Sequence, residues 1–458
     1  MSNFMADIKE VDPKIKDLID HEKQRLNKTL VMIPSESMAS KAIMQATGSV
    51  LTSKYAEGYP NKRYYTGFEY VDPVEETAIA RAKKLFNAEH ANVQPHSGST
   101  ANLEVYYALL KPGDKIMGLK LDQGGHLTHG HPINFTGKTY NFVQYCVEKD
   151  TCRIDMDKLR KLAKEEKPKM IVSGATAYPR TYDFKEFHEI CEEVGAYSMA
   201  DISHISGLIV GGAHPSPLPF TDIVTTTTHK TLCGPRSAII LSKNEDRIVD
   251  TSGMEEKKAK FAKNLARKID RAVFPGMQGG PLEHVIAAKA VAFKQAMQPE
   301  FKDFAQQVVK NAKTLAETLM ENGIKLVSGG TDNHLLLIDL TPMGPGLGMD
   351  VSEALAKAGI YTNRNTIPYD PSTAFKPSGI RLGTPVLTQR GMKESEMKTV
   401  GEWITKIVNN YNDETLIKKT REEIEELMEG FPLYDKWLQQ FLWFSYPPKD
   451  SILWSYHL

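Results

Sequence analysis

Residues 224–236 read VTTTTHKTLCGPR. Four consecutive threonines suit the end of a β-strand, because β-branched side chains favour extended backbone. His229 and Lys230 follow, and Gly234-Pro235 turn the chain. The apolar run at 223–227 has counterparts on both sides, at 115–119, 170–172, 197–200 and 238–241. Helical patterns lie between several of them, such as Phe184, Phe187, Ile190, Cys191 and Val194. Short apolar strands separated by helices predict a parallel sheet covered on both faces. In such sheets a ligand sits outside the carboxyl ends of the strands.

Further out, Ile79, Ala82, Leu85 and Phe86 share a helical face after Asp72-Pro73, and 99–110 reads as a helix beginning just after Ser97-Gly98. Past residue 300 the pattern changes. A long amphipathic helix is expected over 301–322, through Phe304, Val308, Leu315 and Leu319, with Gly323 as its stop. A strand at 335–340 and helices near 352–358 and 393–411 complete a smaller α/β unit. The expected division is an N-terminal arm (1–50), a large domain (51–300), a small C-terminal domain (301–435) and an aromatic tail (436–458). The last 28 residues hold Trp437, Trp443 and Trp454, and read as a strap on the small domain or its neighbour.

Composition bounds the function. The 458 residues carry 57 Lys plus Arg against 57 Asp plus Glu, a formal net charge of zero, which excludes a globally basic nucleic-acid binder and an acidic disordered chain. Four cysteines with no CxxC pair provide neither a disulfide framework nor a structural zinc site, so no metal is expected. No apolar run approaches the ~18–20 residues that span a bilayer, and the N-terminal residues show no secretory pattern. A cytoplasmic protein is expected, with no membrane partner.

Five segments carry chemistry. Lys230, at a strand end among hydroxyls, suits an amine that captures a carbonyl, from a substrate or from pyridoxal phosphate. Asp201, after the run at 197–200, suits a carboxylate that keeps a pyridinium nitrogen protonated. PHSGST (95–100) places hydroxyls and a glycine ahead of a helix N-terminus, an anion site. His126 in GGHLTHG (124–130) can stack on a flat ring, and Arg381 in SGIRLGTP (378–385) can clamp a carboxylate with a planar fork. Singly, each has a plainer alternative: a solvated lysine, a helix-capping aspartate or serine, a buried structural histidine. Together they match a pyridoxal-phosphate enzyme acting on an amino acid.

With KYAEGYPNKRYYTGFEYVD (54–72), NVQPHSGSTAN (92–102), FPGMQGGP (274–281) and VSGGTDNHLLLIDL (327–340), these segments resemble the serine hydroxymethyltransferase family, in order, from about residue 10 to about residue 435. The resemblance implies a fold-type I pyridoxal-phosphate enzyme, aspartate aminotransferase-like, with a mostly parallel mixed sheet and a smaller α/β domain. It implies a homodimer or homotetramer with shared active sites. Its reaction would move the hydroxymethyl group of L-serine to tetrahydrofolate, giving glycine and 5,10-methylenetetrahydrofolate.

By the same resemblance Lys230 carries the cofactor, Asp201 partners its ring nitrogen and His126 stacks on the ring. Ser97, Gly98, Ser99, Thr176, His204 and His229 contact the cofactor. Tyr55, Gly279 and Gly280 reach the phosphate in the other subunit. Glu57 manages a proton near the substrate hydroxyl with Tyr65 beside it, and Ser35 and Arg381 hold the substrate carboxylate. Leu121, Gly125, Leu127, Thr373, Ala374 and Phe375 match folate positions.

The chain departs from the family pattern at Ser35-Glu36-Ser37, at Ser203 and Ser206 after the aspartate, and at Ser237-Ala238 after Gly234-Pro235-Arg236. These departures leave open a transferase acting on 2-methylserine or a folate-independent, threonine-type aldolase or transaldolase. A binding-class alternative rests on residues 255–271, EEKKAKFAKNLARKIDR, which carry a net +4; solvated basic faces are commoner than nucleic-acid sites, so nucleic acid is not the expected partner.

Overall fold

The computed structural model describes residues 4–434. Its strands are β1 (Leu30–Val31), the hairpin β2 (Gly58–Tyr59) and β3 (Lys62–Arg63), β4 (His90–Asn92), β5 (Lys115–Leu119), β6 (Asn141–Tyr145), β7 (Met170–Ser173), β8 (Tyr197–Asp201), β9 (Ile223–Thr227), β10 (Ala238–Ser242), β11 (Leu335–Asp339), β12 (Ile360–Tyr361), β13 (Asn363–Asn365) and β14 (Gly379–Gly383).

Seven strands form the large sheet, in the order β4-β10-β9-β8-β7-β5-β6. β6, β5, β7, β8 and β9 run parallel, and β10 is antiparallel to both of its neighbours. Alternation along each strand feeds two separate cores. Met117, Leu119, Ile171, Ala200, Val224, Ile239 and Leu241 pack on one face with Phe184, Phe187 and Ile190. Ile116, Met170, Val172, Met199, Ile223 and Ile240 pack on the other with Ala101, Val105, Leu265 and Ile269. Apolar side chains are therefore required at successive positions, which is why the strands read as continuous apolar runs.

The second unit is the antiparallel sheet β11-β14-β13, covered by helices that include Gly348–Lys357, Glu394–Asn409 and Glu414–Glu429. Packed elements cross two of the expected boundaries. β1 pairs in parallel with β12, and Leu30 and Met32 lie in the C-terminal core, so the presumed arm is partly built into that unit. The division at 300/301 falls near the start of one continuous helix, Pro299–Glu321. Its Ala305 and Val308 join the large core, while Ala312, Leu315, Ala316 and Leu319 join the small one. The aromatic tail, residues 436–458, lies outside the described residues.

The basic stretch 255–271 folds as two short helices, Glu256–Ala262 and Leu265–Arg271. Lys258, Lys263 and Lys268 meet Glu255, Glu245 and Asp246, and Arg267 and Arg271 lie over the Phe261 ring. Much of its charge is engaged locally, which weakens a nucleic-acid reading. Among the described residues no helix is long and apolar enough to cross a membrane.

Candidate active site

Adjacent strands deliver their carboxyl ends to one place. β7 leads into Ala175 and Thr176, β8 ends at Asp201, and β9 ends at Thr227, three residues before Lys230. The register Asp201↔Thr225 sets the last two side by side. β4 leads to Ser97, which caps the helix Gly98–Leu109 by accepting the Thr100 amide at 3.2 Å. These ends enclose a cavity of about 250 Å³. Of the residues expected from the sequence, Ser35, Ser97, Gly98, Ser99, His126, Thr176, Asp201, His204, His229 and Lys230 line it.

The charged groups are tuned by burial and neighbours. Burial drives the Lys230 amine down to about 8, Asp201 pulls it back up, and Arg381 and Arg236 push it further down. Asp201 is buried among donors. Ser203 gives it both a hydroxyl (2.6 Å) and an amide (3.1 Å) on Oδ1, Asn102 Nδ2 donates to Oδ2 at 2.9 Å, and His129 Nε2 faces Oδ2 at 3.3 Å. Burial opposes its charge, yet His129 and the Ser203 hydroxyl outweigh burial and hold the carboxyl well below the usual carboxylate range. His126 is driven down to about 4 by burial and then by His129, so its ring is neutral. Burial and Lys230 likewise drive His229 down to about 3, and its Nδ1 has no partner among the described residues.

Arg381 is not among the residues lining the cavity, but it hydrogen-bonds to Thr176, which lines it. On β14 its Nη1 donates to the Thr176 carbonyl at 2.6 Å and its Nε to Asn363 Oδ1 at 3.1 Å, and burial lowers it to about 10. Tyr55, Glu57, Tyr65, Gly279 and Gly280 do not line the cavity either. They gather in a separate patch: Tyr65 donates to Glu57 Oε2, the Tyr55 and Tyr65 rings meet edge-on at 5.6 Å, and a Cβ on Gly280 or Gly279 would lie 3.5 Å from Tyr55 or 3.3 Å from Glu57. Tyr55 and Tyr65 are exposed. Of the folate positions, Leu121, Gly125 and Leu127 follow β5, and Thr373, Ala374 and Phe375 form an exposed loop of the second unit.

Ala175, Ser203, Thr227 and Arg236 also line the cavity and were not assigned to the site from sequence. Ser203 carried a signal: a serine two residues after an aspartate is the spacing of a local carboxylate–amide turn. Ser237, one of the departures, donates to the Pro95 carbonyl at 2.9 Å, and Ser37, another, donates to the His229 carbonyl at 2.8 Å. Both are accommodated by hydrogen bonds.

A family model, serine hydroxymethyltransferase, matches residues 8–404. The chain belongs to this family. Serine hydroxymethyltransferase of Koribacter versatilis (strain Ellin345) is 54% identical over 435 residues, covering 95% of this chain and 97% of the relative. That of Methanosarcina barkeri is 52% identical over 430 residues, 94% and 100% of the two chains, and that of Acidobacterium capsulatum 50% over 441 residues, 96% and 98%. Membership in the serine hydroxymethyltransferase family makes the chain a fold-type I, pyridoxal-phosphate-dependent transferase, in agreement with its mostly parallel mixed sheet.

Proposed function

We propose that the chain transfers the hydroxymethyl group of L-serine to tetrahydrofolate, reversibly, giving glycine and 5,10-methylenetetrahydrofolate, with pyridoxal 5′-phosphate as cofactor. The observation that carries this reading is one cavity in which a weakened lysine amine and a strongly ionised aspartate stand at the ends of adjacent strands.

The donor set fits the cofactor. Lys230 supplies an amine for its aldehyde, Asp201 an anion for its ring nitrogen, and Ser97, Gly98 and Ser99 a helix N-terminus for its phosphate. A Cβ on Gly98 would come within 2.7 Å of Thr227 Cγ2, so the cradle admits a backbone approach only. Pyridoxal phosphate, when bound, supplies an electron sink for the bond broken at the substrate α-carbon. Neutral His126 offers a ring face, with Thr176, His204 and His229 around it.

Ser35 and Arg381 are the carboxylate-binding pair for serine. Glu57, oriented by Tyr65, holds or moves a proton at the substrate hydroxyl. Leu121, Gly125, Leu127, Thr373, Ala374 and Phe375 are assigned to tetrahydrofolate. Because Tyr55, Glu57, Tyr65, Gly279 and Gly280 form a patch off the cavity, with Tyr55, Tyr65 and Gly279 exposed, the reading takes the unit to be at least a homodimer, each subunit's patch completing its partner's cavity. The names of the relatives favour serine over 2-methylserine or threonine. The cytoplasm is the compartment proposed.

A substrate panel tests the reading. Serine cleavage should depend on tetrahydrofolate and exceed cleavage of 2-methylserine and allo-threonine. The purified protein should absorb near ~420 nm, and Lys230→Ala should lose both band and activity. A Lys230→Ala protein with full activity contradicts the assignment.

A further inference from the structure

Lys289 lies in the helix Glu283–Ala296 with 1% of its surface exposed. Its Nζ donates to three backbone carbonyls, those of Val93 (2.6 Å), Ala238 (2.8 Å) and Pro95 (3.3 Å). Three acceptors require three N–H donors, which only the ammonium form has. Val93 and Pro95 belong to the segment joining β4 to Ser97, and Ala238 opens the neighbouring strand β10. Two other side chains grip that segment. Gln278 accepts the His96 amide and donates to the Gln94 carbonyl, both at 2.9 Å, and the Ser237 hydroxyl shares the Pro95 carbonyl. The clamped stretch ends at His96, one residue before Ser97.

The surroundings make this lysine unusual. Glu75, Glu104 and Glu283 are buried near it, and Glu104 belongs to the helix that Ser97 caps. Neither oxygen of Glu104 has a hydrogen-bond partner among the described residues. Burial drives Lys289 down to about 7, while the three acids pull it up; burial drives Glu104 and Glu283 up to about 8. Burial therefore pushes Glu104, Glu283 and Lys289 towards their neutral forms, and the three carbonyls favour the charged lysine. A buried cation costs free energy unless its donors are satisfied, and here its partners are the carbonyls that set the path into the helix.

We propose that Lys289 is a positioning residue for the phosphate cradle: it fixes the Val93–Pro95 carbonyls, and through them the direction in which Ser97, Gly98 and Ser99 present their donors to the cofactor phosphate. This rests on the reading of Ser97–Ser99 as that cradle. The cofactor has two separable parts, a ring and a phosphate, and the inference concerns the phosphate alone.

The test compares dissociation constants of the apoprotein for pyridoxal phosphate and for pyridoxal, which lacks the phosphate. Lys289→Met is expected to weaken pyridoxal phosphate about tenfold, the order of one hydrogen bond to a charged group, and to leave pyridoxal unchanged. Lys289→Gln keeps two donors and should move the ratio in the same direction by less; it also serves if the Met variant does not fold. Equal weakening of both ligands, or of neither, overturns the inference. Ser97→Ala and Ser99→Ala are the reference. If they leave the ratio unchanged, the cradle reading itself fails. If they narrow it and the Lys289 variants do not, only the role of Lys289 fails.

Discussion

The Tyr65 hydroxyl donates to Glu57 Oε2 at 2.9 Å, on a patch that does not border the cavity holding Lys230. In a shared-site dimer the two groups meet only across subunits. Lys230→Ala and Glu57→Ala, each inactive alone, should therefore complement one another when mixed subunits reassociate. Half of the dimers would be hybrids with one intact site each, so activity should return to roughly a quarter of wild type, as expected for random pairing at a two-fold interface. No recovery contradicts the shared site.

Lys230 is the second test. Its amine is held near 8, against 10.5 for an ordinary lysine, chiefly by burial. The neutral amine is the nucleophile, so capture of pyridoxal phosphate by the apoprotein should rise with pH through about 8 and then level. Arg236 is one of the positive groups that lower it, so Arg236→Ala should move the midpoint up; Asp201 acts oppositely, so Asp201→Ala should move it down. Stopped-flow absorbance over roughly pH 6–10, which spans the midpoint near 8, reads these midpoints.

Glu104 links the buried cluster to stability. Its folded-state value near 8 lies above the ordinary 4.5 because burial disfavours the charged form. The folded protein then holds a proton that the unfolded chain releases, so this contribution is fully present below about 4.5 and is lost as pH rises towards 8. Glu104→Gln removes the titration. The variant should lose less stability than wild type between pH 5 and 8, by up to a few kcal/mol, in denaturant titrations at both pH values. Parallel losses in the two proteins contradict the burial assignment.

Ser203 is poised between two partners. Its hydroxyl donates to Asp201 at 2.6 Å and accepts the Thr227 amide at 3.1 Å. Ser203→Ala leaves that buried amide unpaired and removes one donor from Asp201. The apoprotein should lose about 1–3 kcal/mol of stability. An unchanged denaturation midpoint would show that the pair carries no weight.

The fold was legible where the strands are buried on both faces. The run at 115–119 coincides with β5, because a covered parallel strand is apolar at successive positions, and 223–227 coincides with β9, whose Ile223 and Val224 are followed by buried, β-branched threonines. β4 and β6 are the sheet's edges, short or laced with polar residues, and no run marks them. Of the candidate site, the sequence shows Asp201 closing the run at 197–200 and Lys230 following the run at 223–227, each within a recognisable segment. What local pattern cannot give is register. Ser203 reaches Thr227 only because β8 and β9 align Asp201 with Thr225, and Lys289 reaches Val93 across 196 residues of sequence. A lone lysine in an apolar helical stretch, IAAKAVAF (286–293), was the one sequence hint of it.

The central claim is tested most directly by following the hydroxymethyl carbon of isotopically labelled L-serine with the holoenzyme, with and without tetrahydrofolate. The account predicts that the label enters the folate fraction as methylenetetrahydrofolate, with glycine formed in equal amount and only when tetrahydrofolate is present. Glycine formation that is indifferent to tetrahydrofolate, or no turnover of serine at all, would contradict it.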